Sequence, residues 1–197
     1  MTAPAGRTRL ATLLLVGVTA VWGSTFFLIR DLVETVPPAD FLTVRFGIAA
    51  IVMFALFRRQ TLALSRRDLR IGVVLGVLYG SAQVLQTMGL QHTDASVSGF
   101  ITGTYVVLTP VLGAGRLREH IRPVTWAAVA LATAGLAVLS LQGFAVGAGE
   151  ALTLFSAVLY AGHIVALGRW STAQAAVGLA TVQAGVITVV TGVAAVP

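Results

Sequence analysis

Apolar residues along this chain gather into seven long runs separated by short polar gaps. The runs are Leu10–Ile29, Phe41–Phe57, Ile71–Gly89, Ser96–Ala114, Val124–Leu141, Ala151–Leu167 and Ala176–Val196. Each is close to the roughly 20 residues that a helix needs to cross a bilayer. In hydrocarbon, a helix satisfies its own backbone polar groups and an open strand does not. The pattern therefore predicts an all-α polytopic transmembrane bundle of about seven spans. The gaps are short, so successive helices should pack antiparallel. Pro37-Pro38 marks the first gap, where a helix cannot continue, and Pro123 opens the fifth helix at a position that needs no N–H.

The polar gaps differ in charge. All 13 basic residues are Arg. Arg7 and Arg9, then Arg58, Arg59, Arg66, Arg67 and Arg70, then Arg116, Arg118 and Arg122, and finally Arg169 fall in alternate gaps. The intervening gaps hold Asp31, Glu34 and Asp40, then Asp94, then Glu150. Arg-rich gaps alternating with Arg-poor gaps are the positive-inside signature. It predicts an inner-membrane protein with a cytoplasmic N-terminus, with Arg30 alone in an outer gap and Arg45 inside the second span. Trp126 and Trp170 should lie at the cytoplasmic interface. The first run continues past Val18 to Ile29 with no small-x-small cleavage site, so it reads as a span and not as a signal peptide.

Composition sharpens the class. Hydrophobic residues make up 57% of the chain and charged residues 10%, against about 25% charged in a soluble domain. The net charge of +6 is concentrated at one face, which assigns it to topology and argues against a nucleic-acid partner. There is no Cys, hence no disulfide framework and no thiolate metal site. His92, His120 and His163 fall outside, inside and within the membrane, so they form no common metal site. No H-E-x-x-H, G-x-S-x-G or phosphate-loop motif is present, and no pair of membrane carboxylates. The chain reads as a non-enzyme with no cofactor, and any active transport would run on a gradient or on exchange.

Small residues mark expected helix contacts. Gly72, Gly76 and Gly80 repeat every four residues in the third run, and Gly99 and Gly103 do so in the fourth. That spacing lets backbones approach closely in lipid. Pro110 interrupts the ladder of the fourth helix and should kink it.

Several stretches carry a family resemblance. Val21-Trp22-Gly23-Ser24-Thr25-Phe26 closes the first span, and Arg45 stands in Phe41-Leu42-Thr43-Val44-Arg45-Phe46. Gln86-Thr87-Met88-Gly89-Leu90-Gln91-His92-Thr93-Asp94-Ala95-Ser96 joins the third and fourth spans, followed by Thr102-Gly103-Thr104-Tyr105-Val106-Val107-Leu108-Thr109-Pro110. Together these resemble the EamA-type branch of the drug/metabolite transporter superfamily. The resemblance implies a ten-helix secondary transporter of small metabolites, built from two five-helix repeats of opposite orientation. Residues 1–145 would be the first repeat and residues 146–197 part of the second. The three helices by which this chain falls short would be lost by fragmentation or truncation, or replaced by an associating partner such as a second copy.

The polar residues inside the spans suggest where a solute would bind. Tyr is usually an interfacial residue, yet Tyr79, Tyr105 and Tyr160 each fall at mid-span. They either surround one polar centre or make three separate interhelical bonds. Gln83 and Gln86 would join such a centre or glue helices, and Thr102 lies one turn from Tyr105. His163 is ionisable and well inside a span, which marks it for substrate or proton handling or for a satisfied core position. Arg45 would receive a substrate anion or snorkel to the outer interface. The expected cavity lining is Trp22, Tyr79, Gln83, Tyr105, Tyr160 and His163, with Arg45 as an anion contact. The partners are the lipid bilayer and a small-molecule substrate exported by alternating access. The competing class is a non-transporting membrane scaffold or assembly subunit, in which these residues would be scattered among helix contacts.

Overall fold

The computed structural model describes residues 5–117, 123–141 and 147–195. Arg118, His120, Arg122 and the expected repeat boundary at 145/146 lie outside the described residues. Eight helices account for the rest: α1 (Ala5–Leu32), α2 (Pro38–Leu62), α3 (Arg66–Leu90), α4 (Ala95–Gly103), α5 (Tyr105–Leu117), α6 (Pro123–Leu141), α7 (Ala148–Trp170) and α8 (Ala176–Ala194). Six spans are long and apolar enough to cross a membrane, α4 and the start of α5 forming one of them as Ala95–Gly113. In α6 the stretch Pro123–Gly135 is a shorter apolar segment. This is a multi-pass, all-helical membrane bundle.

α3 is the hub. It packs against α7 on one side and α8 on another, while α8 also lies along α2, and α7 along α4 and α5. α1 touches the rest of the bundle chiefly through α4. Its Leu13, Leu14, Leu15 and Val18 are 62–68% exposed, so they face lipid or further protein.

The glycine stripe of α3 is the seam with α8. A methyl group built on Gly72 would lie 2.9 Å from Val182 Cγ1, and one on Gly76 would lie 2.7 Å from Val186 Cβ. Gly80 meets Ile187 at ordinary contact distance. Only a residue without Cβ permits this approach. A second close crossing joins α3 to α7, where a methyl on Gly89 would lie 2.7 Å from the Gly149 carbonyl and one on Gly149 2.8 Å from that of Gly89. In lipid no hydrophobic force draws helices together, so such backbone contact supplies the packing energy. Gly103 is a correction: nothing lies within 4 Å of a methyl built there, so it marks no helix contact. A methyl built on Gly99 would lie 3.8 Å from the Phe26 ring.

The fourth span breaks at Thr104, not at Pro110, which sits inside α5. Thr104 N–H donates to Ile101 O at 3.1 Å, a tightened turn, and the Thr104 hydroxyl takes the same carbonyl at 2.6 Å. Val107 and Leu108 both donate to Thr104 O. The break therefore combines a 3₁₀ turn with a side chain inserted into the ladder, a recognised cause of bends. It puts Tyr105 at the start of a half-helix in mid-span.

Arg30 is also placed differently from expectation. It belongs to the last turn of α1, and its guanidinium donates to Leu90 O at 2.6 Å while lying 3.9 Å from Glu34. Leu90 ends α3, so Arg30 satisfies one of the carbonyls that a helix C-terminus leaves unpaired. Gln91 Nε2 donates to Val33 O at 3.0 Å, fixing the same two helix ends together. Pro38 is likewise the first residue of α2 and not part of the gap.

Candidate functional site

The mid-span aromatic residues converge. Tyr79 on α3 lies 5.5 Å, centroid to centroid, from Tyr160 on α7, and Tyr160 lies 6.2 Å from Tyr105 on α5. Tyr105 lies 6.2 Å from Trp22 on α1. Tyr79 is also 5.1 Å from the His163 ring and 6.2 Å from Phe46 on α2. Each distance falls in the range where aromatic edges and faces attract one another. Five helices thus contribute to one continuous cluster at mid-depth. Helical spacing explains it: Tyr160 and His163 are three residues apart on α7, and Trp22 and Phe26, with ring centroids 6.0 Å apart, are four apart on α1, so each pair shares a face.

A hydrogen-bond relay runs beneath the rings. Tyr160 Oη donates to Gln86 Oε1 at 2.9 Å, and Gln86 Nε2 donates to Thr102 Oγ1 at 2.8 Å. α7, α3 and α4 are tied by that one amide. Gln83 Nε2 donates to Tyr79 Oη at 2.9 Å, one turn along α3. His163 Nε2 lies 2.7 Å from Gln183 Oε1 on α8. The Gln183 amide nitrogen is turned to Leu179 O at 3.2 Å, so its oxygen faces the imidazole, and Nε2 is the donor. Gln83, Gln86, Tyr160, His163 and Gln183 are all buried, and each has a partner, as burial of polar groups in apolar surroundings requires.

Two members keep free polar groups. The Tyr105 hydroxyl, on a half-buried residue, has no hydrogen-bond partner among the described residues. Arg45 has its guanidinium 5.9 Å from the Phe41 ring and 5.6 Å from the Phe46 ring, with no acidic partner among the described residues. Phe46 links it to Tyr79, so Arg45 borders the cluster from the side of α2. Cation–π contact holds the charge without neutralising it. Trp22 is 38% exposed and covers the α1 edge.

All six expected lining residues, and Arg45 at the margin, therefore belong to one assembly. Gln183 and Phe46 complete it and are absent from the sequence-based set. The signal for Gln183 was present, since it is the only amide in the apolar run of α8. Among the described residues no group of three His, Cys, Asp or Glu side chains is placed to hold a metal ion.

A multi-pass helical membrane protein with an aromatic and amide cluster at mid-depth is thereby defined. The chain belongs to the EamA-like transporter family, whose match covers residues 9–141. It is 31% identical over 155 residues, 78% of this chain and 47% of the relative, to an uncharacterized transporter of Archaeoglobus fulgidus. It is 23% identical over 108 residues, 53% of this chain and 37% of the relative, to the uncharacterized transporter YoaV of Bacillus subtilis. The aligned segment thus spans less than half the length of either relative. No solved structure matches at a significant level.

Proposed function

We propose that this chain is, or is a fragment of, a secondary transporter that exports small metabolites or drugs by alternating access. Trp22, Tyr79, Gln83, Tyr105, Tyr160 and His163 would line its substrate site, with Arg45 as the contact for a substrate anion. The observation that carries the proposal is the convergence of rings from five helices, with the Tyr105 hydroxyl making no hydrogen bond and the Arg45 guanidinium no ion pair among the described residues. Rings offer apolar and cation-binding faces, and the free groups offer orientation, which is the usual make-up of a small-molecule site. The broken span beside Tyr105 fits the same role, since discontinuous helices border the sites of many secondary transporters.

The inverted-repeat division, with residues 1–145 as the first repeat and 146–197 as part of the second, belongs to this proposal. α2 and α8 would hold equivalent second places in the two repeats, and they lie along each other. The inner membrane and a cytoplasmic N-terminus follow from the arginine pattern. Further helices or a second copy would close the open face of α1. One observation favours the scaffold reading: Gln86, Tyr160, Thr102, His163 and Gln183 already satisfy one another.

A fluorescence titration separates the two. In a Trp126→Phe, Trp170→Phe background Trp22 is the only indole. The reconstituted protein is titrated with amino acids, aromatic amines and organic cations, followed by counterflow in vesicles. Saturable quenching that weakens in Tyr105→Phe, together with counterflow, supports transport. Quenching without counterflow supports the scaffold, and no saturable quenching contradicts the site.

A further inference from the structure

A second feature lies at the arginine-rich end, away from the aromatic cluster. Arg67, Arg70, Ile71 and Val74 of α3, with Trp170 at the end of α7, line a cavity of about 240 Å³. The two arginines are three residues apart and so project from one face. Ile71 and Val74 continue that face toward the membrane, and beyond them Val77 is 45% exposed.

Among the described residues neither guanidinium is engaged in an ion pair. Asp68 sits between the arginines in sequence, but its carboxylate accepts from Ser65 Oγ at 2.6 Å, while its N–H donates to the same oxygen at 3.0 Å. This N-terminal capping arrangement occupies the nearest acid. Both arginines also stand in the first turns of a helix, where the macrodipole disfavours cations. An anion placed between them would relieve both terms.

We propose that this cavity binds the headgroup of an anionic phospholipid. The guanidiniums would hold the phosphodiester through forked hydrogen bonds, the Trp170 indole would lie against the glycerol region, and one acyl chain would run along Ile71, Val74 and Val77. A wholly polar anion would leave that apolar strip unused. Basic pockets between helices at a membrane face suit such headgroups, and indoles favour the same depth.

The test is native mass spectrometry of the full chain in detergent with phosphatidylglycerol or phosphatidylcholine. One phosphatidylglycerol should be retained and phosphatidylcholine should not. Arg67→Gln/Arg70→Gln should weaken retention roughly thirtyfold, about fivefold for each arginine near the anionic group. Arg58→Gln/Arg59→Gln, which removes equal charge outside the cavity, should leave it unchanged, and Trp170→Ala should weaken it with no change of charge. Equal loss in both double variants would reduce the site to diffuse surface charge and overturn the proposal. So would equal retention of both lipids, or displacement of phosphatidylglycerol by soluble glycerol phosphate, which would assign the site to a free phosphoester.

Discussion

Tyr160 and Tyr105 carry the same side chain, and the bundle treats them differently. Tyr160 is buried and donates to Gln86, whereas the Tyr105 hydroxyl is half-exposed and unpaired. Tyr160→Phe leaves a buried amide oxygen without its donor, a loss of about 1–3 kcal/mol. It should lower the thermal midpoint of the detergent-solubilised protein. Tyr105→Phe removes a hydroxyl that bonds nothing within the chain, and its midpoint should stay near that of the parent. If the two variants melt alike, the relay through Gln86 is not formed. The depth of these tyrosines was legible in the sequence, because counting along a run gives depth directly. Their pairing with Gln86, and that of His163 with Gln183, was not legible. It depends on how each helix is rotated about its axis, and an almost uniformly apolar run does not fix that rotation.

At the scale of the helices, the α3 glycines make the seam that the spacing predicted, and Gly103 does not. Four-residue spacing shows that two glycines share a helix face, but not which faces find a partner. Gly103 ends α4 beside the break, where the span turns from its neighbours. Gly76→Ala should therefore cost about 1–3 kcal/mol, the usual range for an overpacked contact, because its methyl would lie 2.7 Å from Val186 Cβ. Gly103→Ala meets nothing within 4 Å and should accumulate in the membrane at the parent level. Expression and thermal unfolding of the two single variants check this. Equal loss in both would mean that α3 and α8 do not meet along the stripe. The break at Thr104 was hidden for a related reason: Pro110 is the visible breaker, yet the Thr104 hydroxyl and the Ile101 carbonyl make the interruption.

For the whole molecule, charge alternation gave the order of the spans, and the tethers at the helix ends agree with it. Arg30 and Gln91 join the end of α1 to the end of α3, and Gly178 at the start of α8 would place a methyl 2.9 Å from Gln60 O near the end of α2. The sidedness has its own test, helped by a chain that lacks Cys. Cysteines introduced at Glu34 and Asp94 should react with an impermeant reagent in intact cells, and one at Gln60 should be protected. The reverse pattern would invert the orientation.

The proposed transport role requires a water-reachable site at mid-membrane among the rings of five helices. Thiol labelling from the aqueous phase with a small charged reagent tests it most directly, using Trp22→Cys and Tyr105→Cys beside Ile51→Cys and Leu131→Cys. The last two are 72% and 76% exposed on outward faces of the bundle. Water does not enter the hydrocarbon around such faces, so thiols there should stay inert. Labelling is expected at 22 and 105, slowed by a solute that quenches Trp22 fluorescence, and none at 51 and 131. Inert thiols at 22 and 105, or equal labelling at all four positions, would contradict it.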